Sequence, residues 1–140
     1  MQTNAAAAVW GALTADALAL GAHWIYDTSR IDSQIGRVDR PLAPPADSFH
    51  GSKQAGEFTH YGDQVMVLLK SIAAARTFEL EAFAADWQAL FADYSGYFDH
   101  ATKATLQNFQ AGQSPDTAGS NSTDLSGAAR IAPLACLYAH

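Results

Sequence analysis

Apolar residues recur at helical spacing through most of this chain. Leu80, Phe83, Trp87, Leu90, Phe91 and Tyr94 step by three and four, which puts them on one face of a helix that Gly96 punctuates. Val65, Leu68, Leu69, Ile72 and Ala73 trace a second stripe, and the pattern predicts a helix from about Gly62 or Asp63 to Arg76. Another is predicted from about Asp99 to Gln110, before Gly112. At the N-terminus a helix from about Asn4 to Leu20, capped by Thr3 or Asn4 and ended by Gly21, is apolar nearly all round. It should therefore be surrounded by other elements. A short helix is started by Asp27 or Thr28 and stopped by Gly36.

Two stretches break the pattern. Residues 37–58 hold Pro41, Pro44, Pro45, Gly51 and Gly56, a long loop of the kind that often carries function. Residues 112–123 form a polar Gly/Ser/Asn loop. A last helix begins near Ser122–Asp124, and Pro133 should bend or break it. Its residues Ile131, Leu134, Ala135, Leu137 and Tyr138 look like half of a packing interface. Either the helix ends abruptly at the surface or the natural protein continues past His140, and the second reading is preferred. No run of alternating β-branched residues competes, so the expected class is all-α.

Composition narrows the picture. With 140 residues and 49% apolar content, residues 1–140 can form a single domain with a real core. The net charge of −6 and eight scattered Lys and Arg supply no basic stripe, which argues against nucleic acid as a partner. One cysteine, Cys136, allows no internal disulfide and makes a cytoplasmic setting the default. No Lys or Arg precedes the apolar N-terminal stretch, so it does not read as a secretory signal. Residues 5–22 raise the membrane question, but Asp16 in their middle favours a core helix over a membrane span.

Three segments could carry chemistry. Asp16 is the only charge between Thr3 and Asp27 and shares a face with Val9, Leu13 and Leu20. A carboxylate there needs a partner: a metal, a buried cation or a backbone cap. Gly56 to Gln64 packs Thr59, His60, Tyr61, Asp63 and Gln64 into a helix entry. Oxygen ligands there can hold a hard cation, although simple capping by Thr59 or Asp63 is the commoner fate. Gly119 to Asp124 offers Ser120, Ser122 and Asp124 at another helix start, suited either to an anionic group or to plain capping. The histidines, at 23, 50, 60, 100 and 140, show no zinc spacing and read as structural or exposed.

Taken together, these blocks resemble a known family. Gly11 to Ala22 is similar to the opening G-A-L-x-G-D-A-L-G helix of the ADP-ribosylglycohydrolases. Gly96-Tyr97 with Ala101 to Leu106 resembles their G-Y-G-x-x-T-R-x-A-L helix. Ser120 to Leu134 resembles their G-x-S-x-x-x-G-A-A-M-R-x-A-P-L block. The T-H-Y-G-D-Q form at Thr59 to Gln64 resembles the branch that includes the J-type lens crystallins.

The resemblance implies an orthogonally packed all-α fold, of which this chain is the N-terminal part. It implies hydrolysis of a glycosidic bond to ADP-ribose, on a small molecule or a modified protein, with Mg²⁺ or Mn²⁺. By the same resemblance Asp16 and Asp63 become metal-ligand candidates. Thr59, Tyr61, Gln64, Tyr97, Ser120, Ser122 and Asp124 become substrate-binding candidates, and Asp16, Asp63 and the Ser122–Asp124 turn are expected to converge on one polar cleft.

The chain also departs from the family pattern. The family's T-D-D-T is replaced by Tyr61-Gly62-Asp63-Gln64, or in a second alignment by Thr59-His60-Tyr61-Gly62. The family's acidic residue after its first helix would fall near Ile25, and Asp27 is the nearest carboxylate, hence the catalytic candidate. The family's C-terminal Asp motif does not occur in these 140 residues. The expectation is a hydrolase impaired or inactive as this chain, with a non-catalytic nucleotide-binding or crystallin-like structural protein as the alternative. Self-association through the helix at residues 124–140 is a further expectation.

Overall fold

The computed structural model describes residues 2–138, with side chains from Asn4 onward. It is helical, with no strand among the described residues. In chain order the helices are α1 (Gln2–Ala19), α2 (Thr28–Arg30), α3 (His60–Ala75), α4 (Leu80–Ala92), α5 (His100–Gln110), α6 (Ser126–Ala129) and α7 (Ala132–Tyr138). The chain divides into two compact units. The first comprises residues up to Asp63 together with Ser95–Tyr97; the second comprises Gln64–Tyr94 and the residues from Phe98 on.

In the first unit α1 is already helical at Gln2, ahead of the expected caps at Thr3 and Asn4. It passes into a single 3-10 turn, Leu20–Ala22. Leu13, Leu20 and Gly21 are buried. Gly21 is required where it stands, since a Cβ there would lie 2.7 Å from the Leu42 Cβ. The expectation that α1 is surrounded is not met. The stretch Asn4–Ala22 is long and apolar enough to cross a membrane, yet only 22% of it is buried. The described residues supply packing along the Leu13–Leu20 side and leave Trp10 69% exposed. Asp27 caps α2, accepting from the N–H groups of Ser29 (2.9 Å) and Arg30 (3.3 Å). The helix widens into a π-turn over Ile31–Ile35 and ends at Gly36, whose φ of 66° suits glycine. Residues 37–58 form successive tight turns, such as Ser48 N–H to Pro45 C=O and Lys53 N–H to His50 C=O.

The second unit is built on the predicted aromatic stripe. Trp87 and Phe91 of α4 are buried and pack edge to face at 4.9 Å. Phe98 adds a ring 5.0 Å from Phe91. Val65, Leu68 and Ile72 bury the matching face of α3. Asp99 caps α5 by accepting from Thr102 N–H at 2.7 Å. Gly112, at φ 83°, follows α5 where its end was predicted.

Three further boundaries differ from the sequence expectation, the first being that of α4, which ends at Ala92, short of Tyr94 and Gly96. α3 starts at His60, two to three residues before Gly62–Asp63. The last helix is two short ones, α6 and α7, broken at Arg130–Ile131. Pro133 accounts for the break: it has no N–H to donate to Ala129 and is disfavoured inside a helix, but tolerated in the first turn of α7. Residues 139 and 140 of the expected helix, and with them His140, lie outside the described residues.

Candidate functional site

The first-unit site is built around Asp16. Its Oδ2 accepts the Thr59 N–H at 2.8 Å, and its Oδ1 accepts the Thr59 hydroxyl at 2.7 Å. Thr59 in turn caps α3: its Oγ1 accepts Tyr61 N–H at 3.1 Å, and its carbonyl accepts Asp63 N–H at 3.0 Å. This link across 43 residues sets the start of α3 at His60. Gly62 lies against the same carboxylate. Of the partners weighed for Asp16, the structure shows the cap.

Burial holds the Asp16 carboxyl above its ordinary 3.8. The Thr59 hydrogen bonds and the charge of His23 pull it down, and the charge of Asp63 pushes it up. Asp16 and Asp63 therefore share one neighbourhood. Asp63, in the first turn of α3, has a different partner: Lys53 Nζ lies 2.8 Å from its Oδ2 in a half-buried ion pair.

Around them lies a ring cluster. Trp24 stacks on His50 at 5.6 Å and meets Tyr97 edge-on at 5.0 Å. His60 and Tyr61 lie 3.9 Å apart, and His23 lies 5.0 Å from His50. His50 is wholly buried, and burial, with the charges of His23 and Lys53, pushes its pKa down to about 4. Burial also lowers His23, against the pull of Asp16. Trp24 sits at φ 60°, a strained backbone for a bulky residue.

The remaining candidates divide by unit. Tyr61, Thr59 and Tyr97 belong to the first unit with Asp16 and Asp63, as does Asp27 at its exposed cap. Gln64, Ser120, Ser122 and Asp124 belong to the second. There Gln64 is a buried hub whose Oε1 accepts from Trp87 Nε1 at 2.8 Å and from the Arg130 guanidinium. Gln64 and Ser120 both line an apolar cleft of about 340 Å³, walled by Leu68, Phe83, Trp87, Phe109 and Leu134. Ser122 and Asp124 are exposed and occupied with local turns: Asp124 N–H donates to Ser122 Oγ, and Ser126 N–H to Asp124 Oδ1. The structure thus brings Asp16, Thr59, Tyr61 and Asp63 together in one unit, and Gln64 with Ser120 in the other.

The resemblance implies a divalent metal, and the donor set decides whether these residues suit one. Among the described residues no group of three His, Cys, Asp or Glu side chains could hold a metal ion. Each Asp16 oxygen accepts one bond from Thr59, and the Lys53 ammonium supplies Asp63 with its counter-charge. The described residues of this chain thus form no metal-binding group by themselves. Sequence reasoning missed Lys53, Trp24, His50 and Arg130. No local signal marks Lys53 or Arg130 as partners, since their contacts lie 10 and 66 residues away.

Comparison with known proteins agrees with the motifs. The family model described as ADP-ribosylglycohydrolase matches residues 1–140. Crystallin J1B of Tripedalia cystophora is 26% identical over 99% of this chain and 48% of its own length. Crystallin J1A of the same organism is 27% identical over 97% of this chain and 47% of its own. The chain therefore spans about half the length of these curated relatives. No solved structure matches significantly.

Proposed function

Because the chain belongs to the ADP-ribosylglycohydrolase family, we propose that it is a non-hydrolysing half of such a domain, with a binding or structural role of the crystallin kind. The observation that carries this reading is the Lys53–Asp63 ion pair. The Lys53 ammonium already neutralises the Asp63 carboxylate at Oδ2, which weakens the attraction that Asp63 would offer a divalent cation. Asp16 is equally committed, as the acceptor that organises the Thr59 cap. The exposed faces of α1 and α7 fit a chain that spans half of its relatives, and we assign them to packing against the other half of the family domain. Acceptor, localisation and assembly then belong to that whole.

The second reading is a metal-dependent hydrolase acting on an ADP-ribosyl glycoside, and the shared neighbourhood of Asp16, Thr59 and Asp63 favours it. One assay separates the two. ADP-ribose release from an ADP-ribosylated protein is measured with Mg²⁺ or Mn²⁺ for this chain and for Asp63→Ala. The proposal expects both to match the protein-free blank. Metal-dependent turnover that Asp63→Ala abolishes would establish the hydrolase instead.

A further inference from the structure

The first unit carries a concavity of about 370 Å³. Its lining includes Trp24, Tyr26, Asp27, Arg30, Asp47 and Phe49. Tyr26 and Phe49 are 83% and 55% exposed, unusual for large rings with an apolar cluster close at hand. Phe49 packs edge-on to Trp24 at 5.5 Å, so one wall is anchored in the buried ring cluster. The strained backbone at Trp24 lies two residues before Tyr26 and three before Asp27, and such strain gathers at sites of binding and catalysis.

The charges of the cleft do not cancel. Arg30 is bound to Asp47 at 2.6 Å and to the Gln34 side chain at 3.0 Å, which neutralises one carboxylate. Asp27 forms no salt bridge among the described residues: its Oδ1 accepts both cap bonds, the Ser29 hydroxyl bonds the same carboxylate, and the Arg30 charge, committed at short range to Asp47, reaches Asp27 only at longer range. Two carboxylates against one guanidinium leave one negative charge beside three aromatic rings. Ring faces carry negative potential and attract cations, and a nearby carboxylate completes the counter-charge. An anion would meet that excess charge, and a neutral apolar guest would leave it uncompensated.

We propose that this cleft binds an organic ammonium group, with Trp24, Tyr26 and Phe49 offering ring surface and Asp27 the counter-charge. The cleft shares Trp24 with the ring cluster beside Asp16 and Asp63, but it uses neither carboxylate and stands whether or not the family hydrolysis occurs, because binding alone reads it.

The test is an amide NMR titration of the ¹⁵N-labelled chain with n-butylammonium and, separately, with its neutral isostere 1-butanol. Butylammonium should shift the amides of residues 24–27 and 47–49, with at least about tenfold weaker response to butanol. Asp27→Asn keeps the helix cap, because Asn caps as well as Asp, and should weaken the ammonium response about tenfold. Tyr26→Ala, at an exposed position, should weaken it as well. Nα-acetyl-lysine amide identifies the source. Binding tighter than butylammonium assigns the group to a protein lysine, and equal or weaker binding assigns it to a free amine. Equal response to butanol, no response to either ammonium probe, or an ammonium response unchanged in Asp27→Asn overturns the proposal.

Discussion

Gly62 lies so close to the Asp16 carboxylate that a Cβ at position 62 would stand 2.7 Å from Asp16 Cγ, and 2.8 Å from the Phe58 Cβ. The same carboxylate holds the Thr59 N–H and hydroxyl. Asp16, Thr59 and Gly62 therefore form one device that joins α1 to the start of α3. Overpacking of this kind costs about 1–3 kcal/mol, so Gly62→Ala should destabilise the chain by about that much in urea denaturation. In an Asp16→Ala background the obstruction is smaller, and the same substitution should cost less. An additive pair of losses would contradict the contact.

Two buried groups should give opposite pH dependences. His50 is depressed to about 4 in the folded chain, against 6.5 ordinarily. The unfolded chain then binds the extra proton first, so the His50 contribution is full above pH 6.5 and is lost as pH falls towards about 4. Asp16 is raised above 3.8. Its contribution is full below 3.8 and is lost as pH rises through its folded value. NMR titration should find the His50 ring neutral at pH 5.5 and the Asp16 carboxyl titrating above 3.8. A protonated His50 ring at pH 5.5 would remove the first expectation, and a carboxyl titrating at or below 3.8 the second.

Gln64 should matter for stability more than for any ligand. Gln64→Leu removes the acceptor of the buried Trp87 Nε1–H and one acceptor of Arg130. Leaving a buried donor without an acceptor costs about 1–3 kcal/mol, measurable by thermal or chemical unfolding. A neutral effect would mean that water replaces the amide.

The exposed apolar residues of the C-terminal segment predict self-association when the chain is studied alone. Leu125, Ile131 and Tyr138 are 81%, 48% and 61% exposed. Light scattering should report a mass above the 14.9 kDa of one chain at high concentration. Ile131→Ser with Tyr138→Ser should lower it. A stable monomer throughout would count against this face as an interface.

The elements legible in the sequence are those whose causes are local. The α4 stripe, the helix starts at Asp27 and near Asp99, and the stops at Gly36 and Gly112 each depend on a few neighbouring residues. The start of α3 was not legible, because Thr59 becomes its cap through Asp16, 43 residues earlier. The ion pair of Asp63 with Lys53 depends on how residues 37–58 turn back. The apolarity of α1 correctly announced a helix, but apolarity cannot say whether the covering residues lie within this chain. Family motifs named the carboxylates; only geometry shows what each one holds.

On the proposed reading, Thr59 and Lys53 satisfy Asp16 and Asp63 in place of a metal. Mn²⁺ added to the ¹⁵N-labelled chain tests this directly, since a bound paramagnetic ion broadens nearby amide signals. No selective broadening is expected at Asp16, Thr59 and Asp63 at millimolar Mn²⁺, and it should appear only when Lys53→Ala frees the carboxylate. Selective broadening centred on Asp16 and Asp63 in the unaltered chain would contradict that reading.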